Sequence, residues 1–322
     1  MRCGWRTAIF WCPIGRAVDN ISVPAGERLG EIVGGDNLEV LAALPAESAD
    51  LIYMDPPFNT GREQTRHLLR TRSADEGDRR GFGGRQYVTE SLGTTSFSDS
   101  FDDYLGFLAP RLRQAHRVLA RHGTLYFHID YREVHYCKVL LDQIFGRECF
   151  LNEVIWAYDY GARTRRRWPP KHDNILVYVR DPRLYRFYAD AIDRIPYMAP
   201  GLVGPEKAAR GKTPTDTWWH TIVPTNGGEK TGYPTQKPLG ILRRIVLASS
   251  APGDLVLDPF AGSGTTGIAC RELGRRFLLI DNHPRAMEVM ARRFGDDPAV
   301  GWRNAQGEGR GGGPQADADP GG

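Results

Sequence analysis

Asp55-Pro56-Pro57-Phe58 closes an apolar run that extends from Ala49 to Met54. The run holds β-branched and aromatic residues and no Gly or Pro, which predicts a buried strand. Each proline fixes its own φ and removes an N–H, so the chain must leave the sheet stiffly at this point. A carboxylate, a free Pro56 carbonyl and an aromatic ring are thereby held together at the carboxyl end of a strand. Open α/β sheets place reactive groups at that end. An ordinary strand-to-loop turn would account for the tetrapeptide equally well if it stood alone.

A second stretch lies far downstream. Asp258-Pro259-Phe260-Ala261-Gly262-Ser263-Gly264-Thr265-Thr266 follows an apolar strand, Asp254 to Asp258, and opens a helix from about Thr265 to Leu273. Gly262 and Gly264 let the backbone approach a ligand, and a helix N-terminus offers free N–H groups. The next strand, Arg276 to Asp281, ends in an acid, which at that place can take both hydroxyls of a ribose. The third glycine of a dinucleotide loop is missing and nothing resembles a Walker loop. An adenosine-type cofactor without a pyrophosphate therefore fits better than NAD or ATP. A purely structural βαβ turn would use the same glycines.

These groups need a scaffold, and the chain is long enough to supply one: 322 residues, 41% hydrophobic and 25% charged, in the range of soluble globular proteins. A net charge of +3 is too small to attract a polyanion globally, so any such partner must meet a local basic patch. Five cysteines without a CxxC argue against a disulfide framework or a zinc site and fit a reducing cytoplasm. His128, His135 and His220 lack metal-ligand spacing, and no metal site is expected. No run reaches transmembrane length.

The patterns predict a start of the fold at Glu31–Val33, a short helix over Leu38–Leu44, and a helix from Tyr104 to Ala120. A strand at Thr124–Asp130 and a helix over Glu133–Phe145 follow. Residues 151–158 and 174–180 read as strands with no helix between them, hence an antiparallel hairpin at a sheet edge. Helix Leu239–Ser249 precedes the second stretch. Residues 59–100 turn polar, with scattered Arg and Gly, and read as a long loop that is either functional or mobile. Residues 181–232 lack a period and would form a small lobe. Trp218-Trp219 reads as packing within it. A lead-in covers residues 1–30 and a disordered tail 303–322, the latter too poor in apolar residues to fold.

DPPF and DPFAGSGTT, with Tyr233-Pro-Thr-Gln-Lys-Pro238 immediately before the second motif, resemble the amino-group DNA methyltransferases that use S-adenosylmethionine. The order, catalytic motif first, resembles the permuted β-type arrangement, and the likeness covers roughly residues 31–295. It implies an α/β, Rossmann-like fold with a mostly parallel seven-stranded sheet, an antiparallel edge hairpin and circularly permuted motifs. The methyltransferase domain would span 31–302, with a catalytic half at 31–180, a target-recognition lobe at 181–232 and a cofactor half at 233–302. Asp55, Pro56, Pro57 and Phe58 would be catalytic. Asp258, Phe260, Gly262, Gly264 and Thr265 would line the methionine and ribose of S-adenosylmethionine, and Asp281 would bind the ribose. Asp36 and Leu38 match the element that contacts the cofactor adenine. Thr235 and Lys237 match the element that closes over the methionine end. A lysine at the start of a surface helix is the plainer account of Lys237.

The chemistry is consistent with those roles. The sulfonium methyl is already activated, whereas an exocyclic amine shares its lone pair with the base. Hydrogen bonds from both amine protons, to the Asp55 carboxylate and the Pro56 carbonyl, can turn that lone pair toward the methyl group. Phe58 offers a face for the base, which must be flipped out of the duplex. Asp55 need not be a strong base, because the amine becomes acidic once methylated. The resemblance favours adenine N6 over cytosine N4 through the Asp that heads the motif. Double-stranded DNA would be held by Arg163, Arg165, Arg166, Arg167, Trp168 and Lys171 in the loop of the edge hairpin, or by the arginines of 62–85. A solvated charge run is the alternative for both. The family leaves open a homodimer and a restriction endonuclease partner. An RNA methyltransferase and a silent DNA-binding subunit are the competing readings, marked respectively by a 2′-OH requirement and by cofactor binding without turnover.

Overall fold

The structure, a computed structural model, describes residues 28–74, 79–80, 86–99, 101–159, 164–224, 227–295 and 297–305, without the side chains of 62–99. Of the expected lead-in (1–30) and tail (303–322), residues 1–27 and 306–322 lie outside the described residues, while Gly30 begins a strand and Arg303 and Asn304 end another. The chain forms two compact units, Met1–Pro56 with Leu105–Gly322, and Pro57–Tyr104.

In chain order the elements are β1 (Gly30–Gly34), α1 (Asn37–Ala43), β2 (Ala49–Met54), β3 (Arg62–Ala74), β4 (Arg79–Arg80) and β5 (Gln86–Asp99). Then come α2 (Tyr104–Val118), β6 (Leu119–Asp130), α3 (Val134–Phe145), β7 (Phe150–Ala157), β8 (His172–Val179), α4 (Pro205–Arg210) and β9 (Thr217–Trp219). The chain closes with α5 (Leu239–Ser249), β10 (Leu255–Asp258), α6 (Thr265–Leu273), β11 (Arg276–Asp281), α7 (Pro284–Phe294) and β12 (Val300–Asn304).

The larger unit is built on one sheet in the order β12-β1-β11-β10-β2-β6-β8-β7-β9. Pairing is parallel from β12 through β6. Strand β8 runs antiparallel to β6 and to β7, and β9 is parallel to β7. The sheet thus has nine strands where seven were expected. Seven, from β1 to β7 in that order, make its body. Beyond them lie β12 and the three-residue β9, a segment too short to show a period in sequence. The β7–β8 hairpin forms as expected, but β9 covers its outer side through Ile155↔Thr217 and so takes the edge.

Strand β2 is flanked by β10 and β6, and Leu51 to Met54 are almost wholly buried, so its apolar run needs no alternation. One face of the sheet is covered by α5, whose Ile241, Leu242, Ile245 and Val246 pack with Tyr53, Tyr126, Val154, Trp156, Ile175 and Val177. Each such fully buried aliphatic side chain contributes about 2 kcal/mol. Trp218 joins this core while Trp219 is exposed, so only one member of the pair packs as expected.

The smaller unit corrects the reading of residues 59–100 as a loop. Strands β3 and β5 pair antiparallel from Arg62↔Asp99 to Ala74↔Gln86, and β4 adds to β5. Charge and glycine hid this hairpin in the sequence. The β-branched and aromatic residues Thr65, Thr71, Thr89, Thr94, Thr95, Tyr87, Val88 and Phe97 suit extended backbone.

Candidate active site

The strand order β1-β11-β10-β2 gathers acids at one edge. Asp36 follows β1, Asp281 ends β11, Asp258 ends β10 and Asp55 follows β2. Burial raises the Asp258 carboxyl to about 7, and Asp55 and Asp281 push it the same way. Asp281 is also raised, chiefly by burial. The Tyr53 and Tyr233 phenols are pushed up by burial and then by these carboxylates. Acids gathered at one end of a sheet offer hydrogen-bond acceptors to the hydroxyl and ammonium groups of a ligand.

Asp55 is not left alone there. Lys237 Nζ donates to its Oδ1 at 2.8 Å and its Oδ2 at 2.6 Å, and both side chains are nearly buried. The resemblance puts Lys237 over the methionine end of the cofactor; in the structure its ammonium lies against Asp55. The other residues of its loop explain the approach. Gln236 is buried, accepts from Thr231 N and Oγ1 at 2.8 Å each, and donates to the Glu229 carbonyl at 2.6 Å. That tie folds 229–236 back on itself and delivers Lys237 just before α5. Thr235 is exposed, while Tyr233 turns inward, within contact distance of a Cβ at Gly262.

The glycine loop is braced from below. Asp258 accepts Phe260 N at 3.0 Å and the Thr266 hydroxyl at 2.5 Å. Its buried carboxylate therefore serves the loop's shape. Arg293 of α7 donates to the Ser263 carbonyl at 2.8 Å and to Thr265 Oγ1 at 2.9 Å, which also commits the Thr265 side chain to the scaffold. Asp281 accepts Gly262 N at 2.8 Å and His283 N at 2.8 Å. Gly262 and Gly264 have φ of +53° and +73°. A Cβ on Gly264 would lie 2.9 Å from Met290 and Phe294, so both conformation and space require glycine.

The Asp36-Leu38 element is tied to this loop through its own Asn37 and through Arg111, which carried no motif in the sequence. Asp36 caps α1, accepting Leu38 N at 2.7 Å, and pairs with Arg111 at 3.2 Å. Arg111 also donates to Asn37 Oδ1 at 2.7 Å, and Asn37 donates to the Pro259 carbonyl at 2.7 Å. The Arg111 guanidinium lies 3.9 Å over the Phe107 ring, which tilts against Phe260 at 6.3 Å. A charged residue within the apolar stripe Leu108, Leu112, Ala115 of α2 was the available signal. Leu38 is half-buried beside this set.

Pro57 and Phe58 open the smaller unit, where the Tyr104 hydroxyl donates to the Pro57 carbonyl at 2.5 Å and Asn59 accepts Phe101 N at 3.0 Å. The Pro56 carbonyl belongs with Asp55 in the larger one. In the β7–β8 loop, Arg165, Arg166, Arg167 and Trp168 are all exposed, Trp168 at 95%, and Lys171 donates to the Asp159 carbonyl at 3.1 Å. Arg163 lies outside the described residues. Asp130↔Asp173 pairing shows that this loop leaves the sheet at the carboxyl end of β6, the end at which Asp55 sits on β2.

The raised Asp258 carboxyl has a consequence for stability. The folded cofactor-free protein holds a proton there up to about pH 7, while an unfolded chain releases it near about pH 4. Stability from this group is thus complete below about pH 4 and falls by a few kcal/mol as pH rises toward 7. Urea unfolding across that range should show the decline in the wild type and a flatter profile in Asp258→Asn. Equal slopes in the two proteins would contradict it.

The profile of a DNA methylase family, of the N6/N4 type, matches residues 49–292. The Type II methyltransferase M.HpaI of Haemophilus parainfluenzae is 30% identical over 263 residues, which is 82% of this chain and 73% of that protein. DNA adenine methyltransferase YhdJ of Escherichia coli (strain K12) is 30% identical over 282 residues, 84% of each chain. Among solved structures, PvuII DNA methyltransferase, which is cytosine-N4-specific, superposes with a TM-score of 0.56 at 17% identity, over 86% of this chain and 89% of that one. Enzymes of this family depend on S-adenosylmethionine. The chain belongs to the N6/N4 amino-methyltransferase family of DNA methylases.

Proposed function

We propose that this protein moves a methyl group from S-adenosylmethionine to the N6 amine of an adenine flipped out of double-stranded DNA. The observation that carries the reading is the Asp55 carboxylate, held by Lys237 at the carboxyl end of β2. Asp55 and the Pro56 carbonyl accept the two amine protons, and the lone pair is thereby aimed at the sulfonium methyl. The N–C bond forms as the S–C bond breaks, and the S–C electron pair stays on sulfur. The new ammonium then loses a proton to Asp55 or to water.

The cofactor would lie along the acid edge. Asp281 takes the ribose hydroxyls, the 262–264 backbone faces the methionine, and Asp36 with Leu38 flanks the adenine. Acceptor oxygens there suit the ribose hydroxyls and the ammonium group. Adenine is favoured by the Asp that heads the motif and by the likeness to an adenine methyltransferase.

DNA would be met by Arg165, Arg166, Arg167 and Trp168, which emerge at the same sheet end as Asp55. Changing all three arginines to Gln should reduce the slope of log affinity against log salt by about one for each phosphate that is no longer neutralised. An unaltered slope would mean that this loop faces away from the duplex.

The deciding experiment is single-molecule sequencing of DNA from a methylation-free host that expresses the chain. N6-methyladenine in one short recurrent motif is the expected result. N4-methylcytosine in such a motif would reassign the base. No modified base, despite cofactor binding, would overturn the DNA reading and direct attention to RNA.

A further inference from the structure

His128 is completely buried, yet nothing in the chemistry above uses it. Its Nδ1 is 2.8 Å from the Tyr53 hydroxyl, and its Nε2 is 3.3 Å from Asp173 Oδ2. The Tyr158 hydroxyl donates to Asp173 Oδ1 at 3.1 Å. The imidazole also stands edge-on to Trp156 at 5.6 Å. Nε2–H donating to the Asp173 carboxylate, with the Tyr53 hydroxyl paired to Nδ1, satisfies these bonds. Burial alone would raise the Asp173 carboxyl, but the hydrogen bond and field of His128, the charge of Lys237 and the Tyr158 hydroxyl together hold it below the usual range.

This cluster backs directly onto the catalytic pair. His128 Nδ1 is 3.9 Å from Asp55 Oδ1, so the ring walls the carboxylate. Tyr53 and Asp55 are two residues apart and point to one face of β2, which His128 of β6 and Asp173 of β8 share. The Lys237 ammonium is consequently held by Asp55 in contact and by the field of Asp173 behind it.

We propose that His128 and Asp173 are positioning residues for the Asp55–Lys237 pair, an inference that rests on Asp55 being the amine acceptor. Asp173 keeps the ammonium drawn back, so that Asp55 retains acceptor capacity toward the base. His128 fixes Asp173 and blocks the rotation of Asp55 away from β2. The Asp173 carboxylate, held low by its donors, adds negative charge behind the place where positive charge grows on the amine nitrogen during methyl transfer. A histidine kept only for packing would not account for an ionised carboxylate at 9% exposure behind it.

The test uses the full-length enzyme, S-adenosylmethionine and unmethylated duplex DNA. Single-turnover methyl transfer, dissociation constants for cofactor and DNA, and thermal unfolding are measured for wild type, His128→Ala, His128→Gln and Asp173→Asn. His128→Ala and Asp173→Asn should slow transfer about 100-fold at unchanged dissociation constants. His128→Gln, whose amide can still donate to Asp173, should recover most of that loss. Unchanged transfer per folded, cofactor-bound molecule in both His128→Ala and Asp173→Asn would overturn the positioning role and leave a structural one. If His128→Ala does not fold, the near-isosteric Asp173→Asn decides alone on the same readout. A wild type that binds cofactor but transfers nothing would overturn the reading of Asp55 itself, and this role with it. An active wild type beside equally active variants overturns the positioning role only.

Discussion

Asp55→Ala should reduce methyl transfer by about a thousandfold or more while the cofactor still binds. In the proposed reaction the carboxylate is the acceptor that the amine lone pair depends on, and its loss leaves only the Pro56 carbonyl. The cofactor contacts assigned to Asp281, Asp36 and the glycine loop lie on other strands and do not pass through Asp55. A confounding effect comes with Ala: Lys237 would be left nearly buried without its carboxylate, and breaking one side of such a pair costs on the order of 3 kcal/mol. Asp55→Asn separates the two effects. It keeps the shape and one acceptor oxygen, but its NH2 would face Lys237 or the base amine, donor against donor. Rapid-quench transfer and calorimetric cofactor binding on both variants give the answer. Normal transfer in either would remove Asp55 from the chemistry.

Residues with local causes were legible in the sequence. Strands β2 and β11 and helices α5 and α6 fall where apolar runs meet Pro, Gly or a change of period, and Asp55, Asp258 and Asp281 come with them. The partners were not legible. Asn37 reaches Pro259 and Lys237 reaches Asp55 across separations of 222 and 182 residues, and such pairs exist only once β1, β10 and β2 lie side by side. The same holds for His128 and Asp173, whose meeting depends on the antiparallel register Ile129↔Asn174. Roles within a motif were also hidden. Asp258 and Thr265 belong to the loop assigned to the cofactor, yet both side chains hold the loop together. A glycine loop must be rigid as well as open, and spacing alone does not separate the residues that serve each need.

Lys237→Met should lower the rate of methyl transfer about 100-fold at saturating cofactor and DNA, with cofactor affinity little changed. A lysine that closed over the methionine end of the cofactor would give the opposite split, a weaker dissociation constant and a preserved rate. Nζ contacts with both oxygens of Asp55 favour the first outcome. Met keeps the length and the apolar stem, so packing before α5 is retained and only the charge and donors go. Stability offers an independent check. Lys237→Met and Asp55→Asn each disturb one nearly buried partner of the same pair, so their effects should not add. The double variant should be more stable than the sum of the single losses predicts, by about 1–3 kcal/mol. Its methyl transfer should stay as low as that of Asp55→Asn alone, because restoring a neutral, well-packed pair restores no acceptor. Strict additivity in unfolding free energy would show that the ammonium and the carboxylate are not partners in solution.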